Sequence, residues 1–297
     1  MRLNIEICAF LEEHGFSCSR EIIENQEVII TRLQKDSAAT RAIIPVSLTA
    51  HDINQARTQQ DRIAKIIHNL STRFGTYPLI ITQDRWDTQR EMMQRRILSH
   101  LEIFFPVYAR NCEVRKIDKK EAADFLMNNH SYSDASCRYR YGLFLKRHTG
   151  HIADSGESHE YKSGTLVAVA TFSNARKWIK GDKVIRSYEW TRYASLPQVR
   201  VNGGMGKLLK TFIAEIQPDD IMSYADLEWS EGGVYEKLGF FPEGIKSPVT
   251  FEIGPQMHRH PVSLPSPDST SLPVPTGNLF YINQGSRKYR LKLTEYE

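Results

Sequence analysis

Arg200-Val201-Asn202-Gly203-Gly204-Met205-Gly206-Lys207 stands between Tyr188–Ala194, which alternates like a strand, and a stretch with helical apolar spacing. The glycines let the main chain turn tightly and aim its amides together. The following helix adds the positive end of its dipole, so the junction suits an anion, phosphate first. Arg200, Asn202, Gly203, Gly204, Met205, Gly206 and Lys207 are therefore the cofactor-binding candidates. This is no Walker loop, because Leu208 follows Lys207 where that loop requires Ser or Thr. A dinucleotide fold also fits poorly, since the turn comes late and repeated strand-helix units are absent. A simple strand-to-helix turn is the alternative reading.

Working outward, Met205, Leu208, Leu209, Phe212, Ile213 and Ile216 give the helix a broad buried stripe. Pro218-Asp219-Asp220 stops it, and Ile221–Asp226 reads as the next strand. A short helix after Gly232-Gly233 carries Val234, Tyr235 and Leu238. Upstream, Glu113–Ile117 reads as an edge strand, Lys119–Met127 as an amphipathic helix and Tyr141–Leu145 as a strand. In Thr165–Phe172 both alternating sides are apolar, which predicts a central strand covered on both faces. A proline-rich insertion, 253–278, favours extended segments before two last strands, Leu279–Ile282 and Lys288–Leu293.

The N-terminal part predicts a helix over 1–14 stopped by Gly15, strands at Val28–Ile30 and Ala42–Ile44, and a helix from Asp52 to Leu70. A strand over Tyr77–Ile81 and a long helix from Arg85 toward Phe104 follow. The chain thus divides into a smaller α/β accessory domain, 1–110, and a second domain, 111–297, with a mixed central sheet flanked by helices. The accessory domain reads as a support unit, a nucleic-acid-contacting unit or a degenerate nuclease. Glu21, Glu24 and Glu27 form an exposed acidic edge, and no metal site is expected.

At 297 residues, 40% apolar and 25% charged, the chain has an ordinary globular composition. Cys8, Cys18, Cys112 and Cys137 show no closely spaced pair, so reduced structural thiols are expected. With no signal-like start and no run of ~18 apolar residues, a cytoplasmic protein without membrane partners is expected. The net charge of +4 is mild, but Arg90, Arg95 and Arg96, and again Arg287, Lys288, Arg290 and Lys292, are locally basic. A nucleic-acid partner and a solvated basic face both account for them.

The order of strand, glycine turn and helix, then Ser223-Tyr224-Ala225-Asp226, then Tyr235-Glu236-Lys237-Leu238-Gly239-Phe240, resembles the GNAT acyltransferases over about Cys112 to Phe251. The resemblance implies a GNAT-like fold and acetyl-coenzyme A or a related acyl-coenzyme A as cofactor. Its pyrophosphate would sit over the glycine turn. Gly204-Met205-Gly206 supplies the family's Gly-x-Gly pair, but Val201 holds the position of the usual basic residue and Arg200 is displaced by one. Tyr235 matches the tyrosine that protonates the departing thiolate.

Ser223–Asp226 and Gly232–Tyr235 are further similar to phage-associated GNAT-like proteins of the DNA-modifying Mom type. So are Asn129-His130, Tyr188–Tyr193, Phe280-Tyr281 and Lys288–Arg290. That likeness implies Arg192, Tyr224 and Asp226 as pocket residues and an adenine base in DNA as one acceptor. Asp226, where an open sheet offers its crevice, is preferred over Glu189 as the base, with capping as its structural role. His130 reads as a turn residue, and His258 and His260 define no metal centre. The expected activity is acyl-coenzyme A-dependent transfer to an amine. The alternative is a catalytically inactive nucleic-acid-binding protein on the same scaffold. Oligomeric state and acceptor are not set by the sequence.

Overall fold

A computed structural model describes residues 2–33, 36–152, 158–262 and 277–296. In chain order the elements are α1 (Arg2–Glu13), β1 (Phe16–Ile23), β2 (Gln26–Leu33), β3 (Asp36–Val46), α2 (Ile53–Phe74), β4 (Leu79–Thr82), α3 (Gln83–Thr88), α4 (Arg90–His100) and β5 (Phe105–Tyr108). Next come β6 (Cys112–Lys116), α5 (Lys119–Asn129), β7 (Tyr139–Leu145), β8 (Thr149–Ile152), β9 (Ser158–Tyr161), β10 (Leu166–Phe172), β11 (Arg176–Lys180), β12 (Lys183–Ser195) and β13 (Val199–Asn202). The chain closes with α6 (Gly204–Ile216), β14 (Asp220–Asp226), α7 (Gly233–Lys237), β15 (Phe241–Lys246), β16 (Thr250–Ile253), β17 (Arg259–Val262), β18 (Leu279–Ile282) and β19 (Ser286–Lys292).

Two compact units interleave along the chain. The first takes Met1–Leu101, Ala225–Gly233 and Gly244–Arg287, and the second takes Glu102–Tyr224, Val234–Glu243 and Lys288–Glu297. In the first unit the sheet order is β1-β2-β3-β4, with β3 and β4 parallel. Ile63, Ile66 and Leu70 of α2 pack on Val28, Ile30, Ala42 and Ile44 of this sheet. Asp52 caps α2 by accepting the Gln55 amide at 2.8 Å, and Gly75 ends it in the left-handed conformation.

Three sequence expectations are corrected here. Cys8 and Cys18 form a disulfide joining α1 to β1, while Cys112 and Cys137 are free thiols. The ten-residue separation hid a pairing that the hairpin-like return of β1 along α1 creates. The single helix from Arg85 toward Phe104 is two helices ending at His100. Thr88 turns its hydroxyl back to the Asp84 carbonyl at 2.7 Å and Gln89 leaves helical geometry (φ −136°), which breaks the run. Within the proline-rich interval, Arg259–Val262 pairs with β16 as a strand, whereas Pro265, Pro267, Pro273 and Pro275 lie outside the described residues.

The second unit is built on the mixed sheet β15-β19-β14-β12-β10-β7-β6, with β11 paired to β12. From β6 to β12 neighbours are antiparallel, and β12 and β14 are parallel. This is the helix-flanked mixed α/β sheet expected of the C-terminal region. β10 lies in its interior and β6 at its edge. One face of β10 meets α6, where Phe172 and Phe212 stack at 3.9 Å among Tyr139, Tyr141, Tyr188 and Trp190. On the other face, Val169 packs with Ala122, Phe125 and Leu126 of α5. Double coverage explains why both alternating sides of Leu166–Phe172 are apolar. No helix among the described residues is long and apolar enough to cross a membrane.

Candidate active site

The parallel ladder between β12 and β14 covers only three pairs: Ser187 with Asp220, Tyr188 with Ile221 and Glu189 with Met222. Beyond them the strands part, while β12 stays paired to β10 as far as Ser195. A bulge sits where they separate, with Phe172 opposite Trp190, Thr171 opposite Arg192, and Thr191 as the extra residue. Bulges re-aim side chains and end pairing. Here side chains replace the lost ladder. The Ser223 hydroxyl lies 3.0 Å from the Trp190 carbonyl, and the Trp190 indole donates to the Arg192 carbonyl at 3.0 Å.

Ser223 Oγ is also 2.8 Å from the Tyr235 phenol oxygen. The Ser223 hydroxyl is the donor in both contacts, so its one proton is shared between the Trp190 carbonyl and the Tyr235 oxygen. Tyr235 is fixed by stacking on Tyr289 at 5.2 Å and by edge contacts with Phe240 and Trp190 at 5.5 and 6.3 Å. Burial raises its pKa above that of an ordinary phenol, so the ring keeps its proton at neutral pH.

The glycine turn lies where β13, paired in parallel with β5, enters α6. Gly203 is left-handed (φ 76°) and caps α6 with no side-chain hydrogen bond. A Cβ on Gly204 would lie 2.9 Å from the Val201 Cβ, so that position excludes any side chain. The first turn thus brings the Gly204, Met205 and Gly206 amides to one helix end. Arg200 is exposed, with its guanidinium 4.6 Å from the Phe104 ring centre. Asn202 and Met205 are half-buried. The Lys207 ammonium is bonded to the carbonyls of Ala109, at 3.0 Å, and Cys112.

The other catalytic candidates are placed differently. Arg192 gives Nε to the Ser133 carbonyl at 3.1 Å and Nη1 to the Thr191 carbonyl at 2.8 Å, and burial draws its pKa down. Tyr224, half-buried, has its hydroxyl 3.9 Å from the Met222 sulfur. Asp226 belongs to the first unit. Its carboxylate accepts the Glu228 amide at 2.9 Å and its carbonyl accepts the amides of Trp229 and Ser230, a turn-capping arrangement. His130 likewise accepts the Tyr132 amide at 3.1 Å through Nδ1. No group of His, Cys, Asp and Glu among the described residues could hold a metal ion.

Ser223 and the bulged Thr191 are the site features that residue reading passed over. Ser223 stood inside the Ser223–Asp226 stretch without a role of its own, and a bulge has no signature before the register is known.

No family model matches the chain, and no curated protein matches it. Among solved structures, it is similar to Eis1 from Mycobacterium abscessus, with 17% identity over 48% of this chain and a TM-score of 0.32; the match spans 33% of that protein. It is also similar to a GNAT-family acetyltransferase from Bacillus anthracis, at 13% identity, 61% of this chain, 95% of that one and a TM-score of 0.29. An N-acetyltransferase from Staphylococcus aureus Mu50 matches at 10% identity over 61% of this chain and 97% of that one, with a TM-score of 0.31. Overlap at this level assigns neither an activity nor a substrate.

Proposed function

We propose that this chain is an acyl-coenzyme A-dependent N-acyltransferase, and the observation that carries the proposal is the fork between β12 and β14. Parting parallel strands leave an edge of β12 beside which an extended amide-bearing arm can lie. The uncapped first turn of α6, with Gly203 left-handed and Gly204 closed to side chains, fits a pyrophosphate. Acyl-coenzyme A has both parts, and when bound it supplies an activated thioester.

Transfer needs no covalent enzyme intermediate. The amine nitrogen attacks the thioester carbon, the new C–N bond forms, and the C–S bond breaks with its electron pair leaving on sulfur. Tyr235 protonates that sulfur, and its high pKa makes it an acid rather than a spontaneous base. The amine proton passes to solvent water, and Arg192 and Tyr224 are the proposed acceptor contacts. Arg200, Asn202 and Met205 flank the cofactor; Lys207 holds the turn against Ala109 and Cys112. A cytosolic setting goes with this donor. The acceptor class is an amine, and an adenine base in DNA is the finer reading that the Mom-type sequence likeness supports.

Calorimetric titration of the folded chain with acetyl-coenzyme A tests the donor. Mass analysis of a panel of small amines and of digested DNA then tests the acceptor. Saturable binding and a transferred acyl group are expected. A folded chain that binds no acyl-coenzyme A overturns the proposal. Binding without any product would leave the scaffold as a non-catalytic binding protein.

A further inference from the structure

The basic C-terminal run keeps its charges to itself. Lys288 pairs with Glu243 at 2.6 Å, Arg290 is held by Asp220 at 2.6 Å and Glu243 at 2.7 Å, and the Lys292 ammonium lies over the Tyr296 ring at 4.9 Å. A separate group of exposed cations in the second unit lies on the hairpin of β11 and the start of β12. Every residue of β11 is exposed. Arg176, Lys177 and Lys180 make no ion pair among the described residues, and Lys183 reaches only the Glu295 carbonyl at 3.3 Å. Asp182, in the turn, is the one acid between Arg176 and Lys183.

The base of the hairpin is packed, with Ile185 2% exposed and the Arg290 guanidinium 5.3 Å from the Trp178 ring centre, and its tip runs past the sheet that carries it. Its pairs from Lys177–Arg186 to Lys180–Lys183 precede the first β12 residue that pairs with β14, Ser187. The free tip consists of the pairs Ile179–Val184 and Lys180–Lys183 with the turn between them. At its end Lys180 and Lys183 stand directly opposite each other, an arrangement of like charges that an anion relieves. Ile179, 77% exposed, faces Val184, 58% exposed, next to that pair. Alternation puts Arg176, Lys180 and Lys183 on one face and Lys177 on the other.

We propose that this hairpin is a docking element for B-form DNA, entering the major groove with its cations on the phosphates of both flanking strands. A groove surrounds an inserted ribbon with anions, as cations on both ribbon faces require, whereas a membrane presents anions to one face only. The B-form major groove, about 12 Å wide, admits a two-stranded ribbon. The major groove of an RNA duplex is too deep and narrow for one. Ile179 and Val184 supply apolar contacts for base edges such as the thymine methyl. Docking here needs no acyl donor, so it stands or falls apart from the transfer reaction.

The test is fluorescence anisotropy of the full chain with a labelled DNA duplex across a salt series, without acyl-coenzyme A. With four phosphate contacts, affinity falls roughly 150-fold between about 50 and about 200 mM salt. In the double variant Lys177→Gln, Lys180→Gln the fall shrinks to roughly 12-fold, because two contacts are gone. Both substitutions are on exposed side chains, and an unchanged melting temperature confirms the fold. A variant with the parent's affinity and salt slope overturns the proposal. So does a wild-type chain that fails to bind DNA, that binds an RNA duplex equally, or that binds phosphatidylserine vesicles in preference to DNA.

Discussion

In the first unit Arg259 closes on Asp84 and on Thr82 (2.6 Å), reaches toward Glu228 at 3.7 Å and lies over the Tyr281 ring, while Tyr281 gives its proton to Glu228. In the second unit Tyr235, Ser223 and Trp190 pass hydrogen bonds along a line where two strands part. The first set is built on ionisable groups and sealed, with Asp84 and Glu228 each 1% exposed. The second is neutral and stands at an interrupted ladder. The pKa directions alone would mark the first set as the active centre. Burial would raise Asp84, but hydrogen bonding and charge from Arg259 hold it below the ordinary value, whereas burial lifts Glu228 despite Arg259 and Arg85. Yet every one of these charges is answered by another within the cluster. Strong perturbation here marks how Ala225–Gly233 and Gly244–Arg287 are locked into the unit.

The largest expected effect breaks that lock. Arg259→Ala leaves two buried carboxylates without their main cation and destabilises the first unit by about 3–5 kcal/mol. Chemical denaturation of the variant measures it, and a loss under about 1 kcal/mol would mean that the cluster is not structural.

Next comes a pH effect on the same unit. Burial, with Arg41 nearby, pushes His100 down from 6.5 to about 4, and its Nε2 is buried without a hydrogen-bond partner. The unfolded chain binds this proton more readily, so the stability that neutral His100 contributes is whole above pH 6.5 and is lost as pH falls toward 4. The loss amounts to about 3 kcal/mol. Glu6 titrates in a separate window: hydrogen bonds from Arg2 and Trp86 hold it down to about 2, so its contribution fades only as pH falls from 4.5 toward 2. Denaturation at stepped pH values separates the two. A flat profile between pH 6.5 and 4 would show that His100 is not buried in its neutral form.

How much of this contrast could be read from residues alone follows from its physics. The helical stripe of α6, the doubly apolar β10 and the helix from Asp52 are local patterns, and they set the sheet and its covering helices. The glycine turn was legible for the same reason, since Gly203 and Gly204 answer to a dihedral angle and a close contact within one turn. The lock was not legible, because Asp84, Glu228 and Arg259 lie far apart in the chain and meet only through tertiary packing. The return of 225–233 and 244–287 to the first unit is equally non-local. Tyr235 stood out by its motif, while its partner Ser223 depends on where the β12–β14 register stops.

At the fork, Tyr235→Phe sharpens the comparison from the other side. It removes a proton and one hydrogen bond while keeping the ring that stacks on Tyr289. Acyl transfer is expected to fall about 100-fold in kcat, or about 2.7 kcal/mol of barrier, with acetyl-coenzyme A affinity held within a few-fold. Equal turnover by the variant would remove Tyr235 as the acid, and a matching loss of affinity would recast it as a packing residue.

The smallest effect isolates the hydrogen-bond line itself. The Ser223 hydroxyl is the donor to both the Trp190 carbonyl and the Tyr235 oxygen, so Ser223→Ala removes both contacts at the fork. One such bond is worth about 1 kcal/mol, small against the loss of Arg259. The informative readout is the pH profile of acyl transfer rather than its size. Without the Ser223 hydroxyl donating to the phenolate oxygen, Tyr235 becomes a weaker acid still, and the alkaline limb moves to higher pH. Ser223→Thr, which keeps the hydroxyl, restores the limb if the line matters. An unmoved limb in Ser223→Ala would make Ser223 only a clasp between two strands, and the fork would then differ from the buried lock in charge but not in kind.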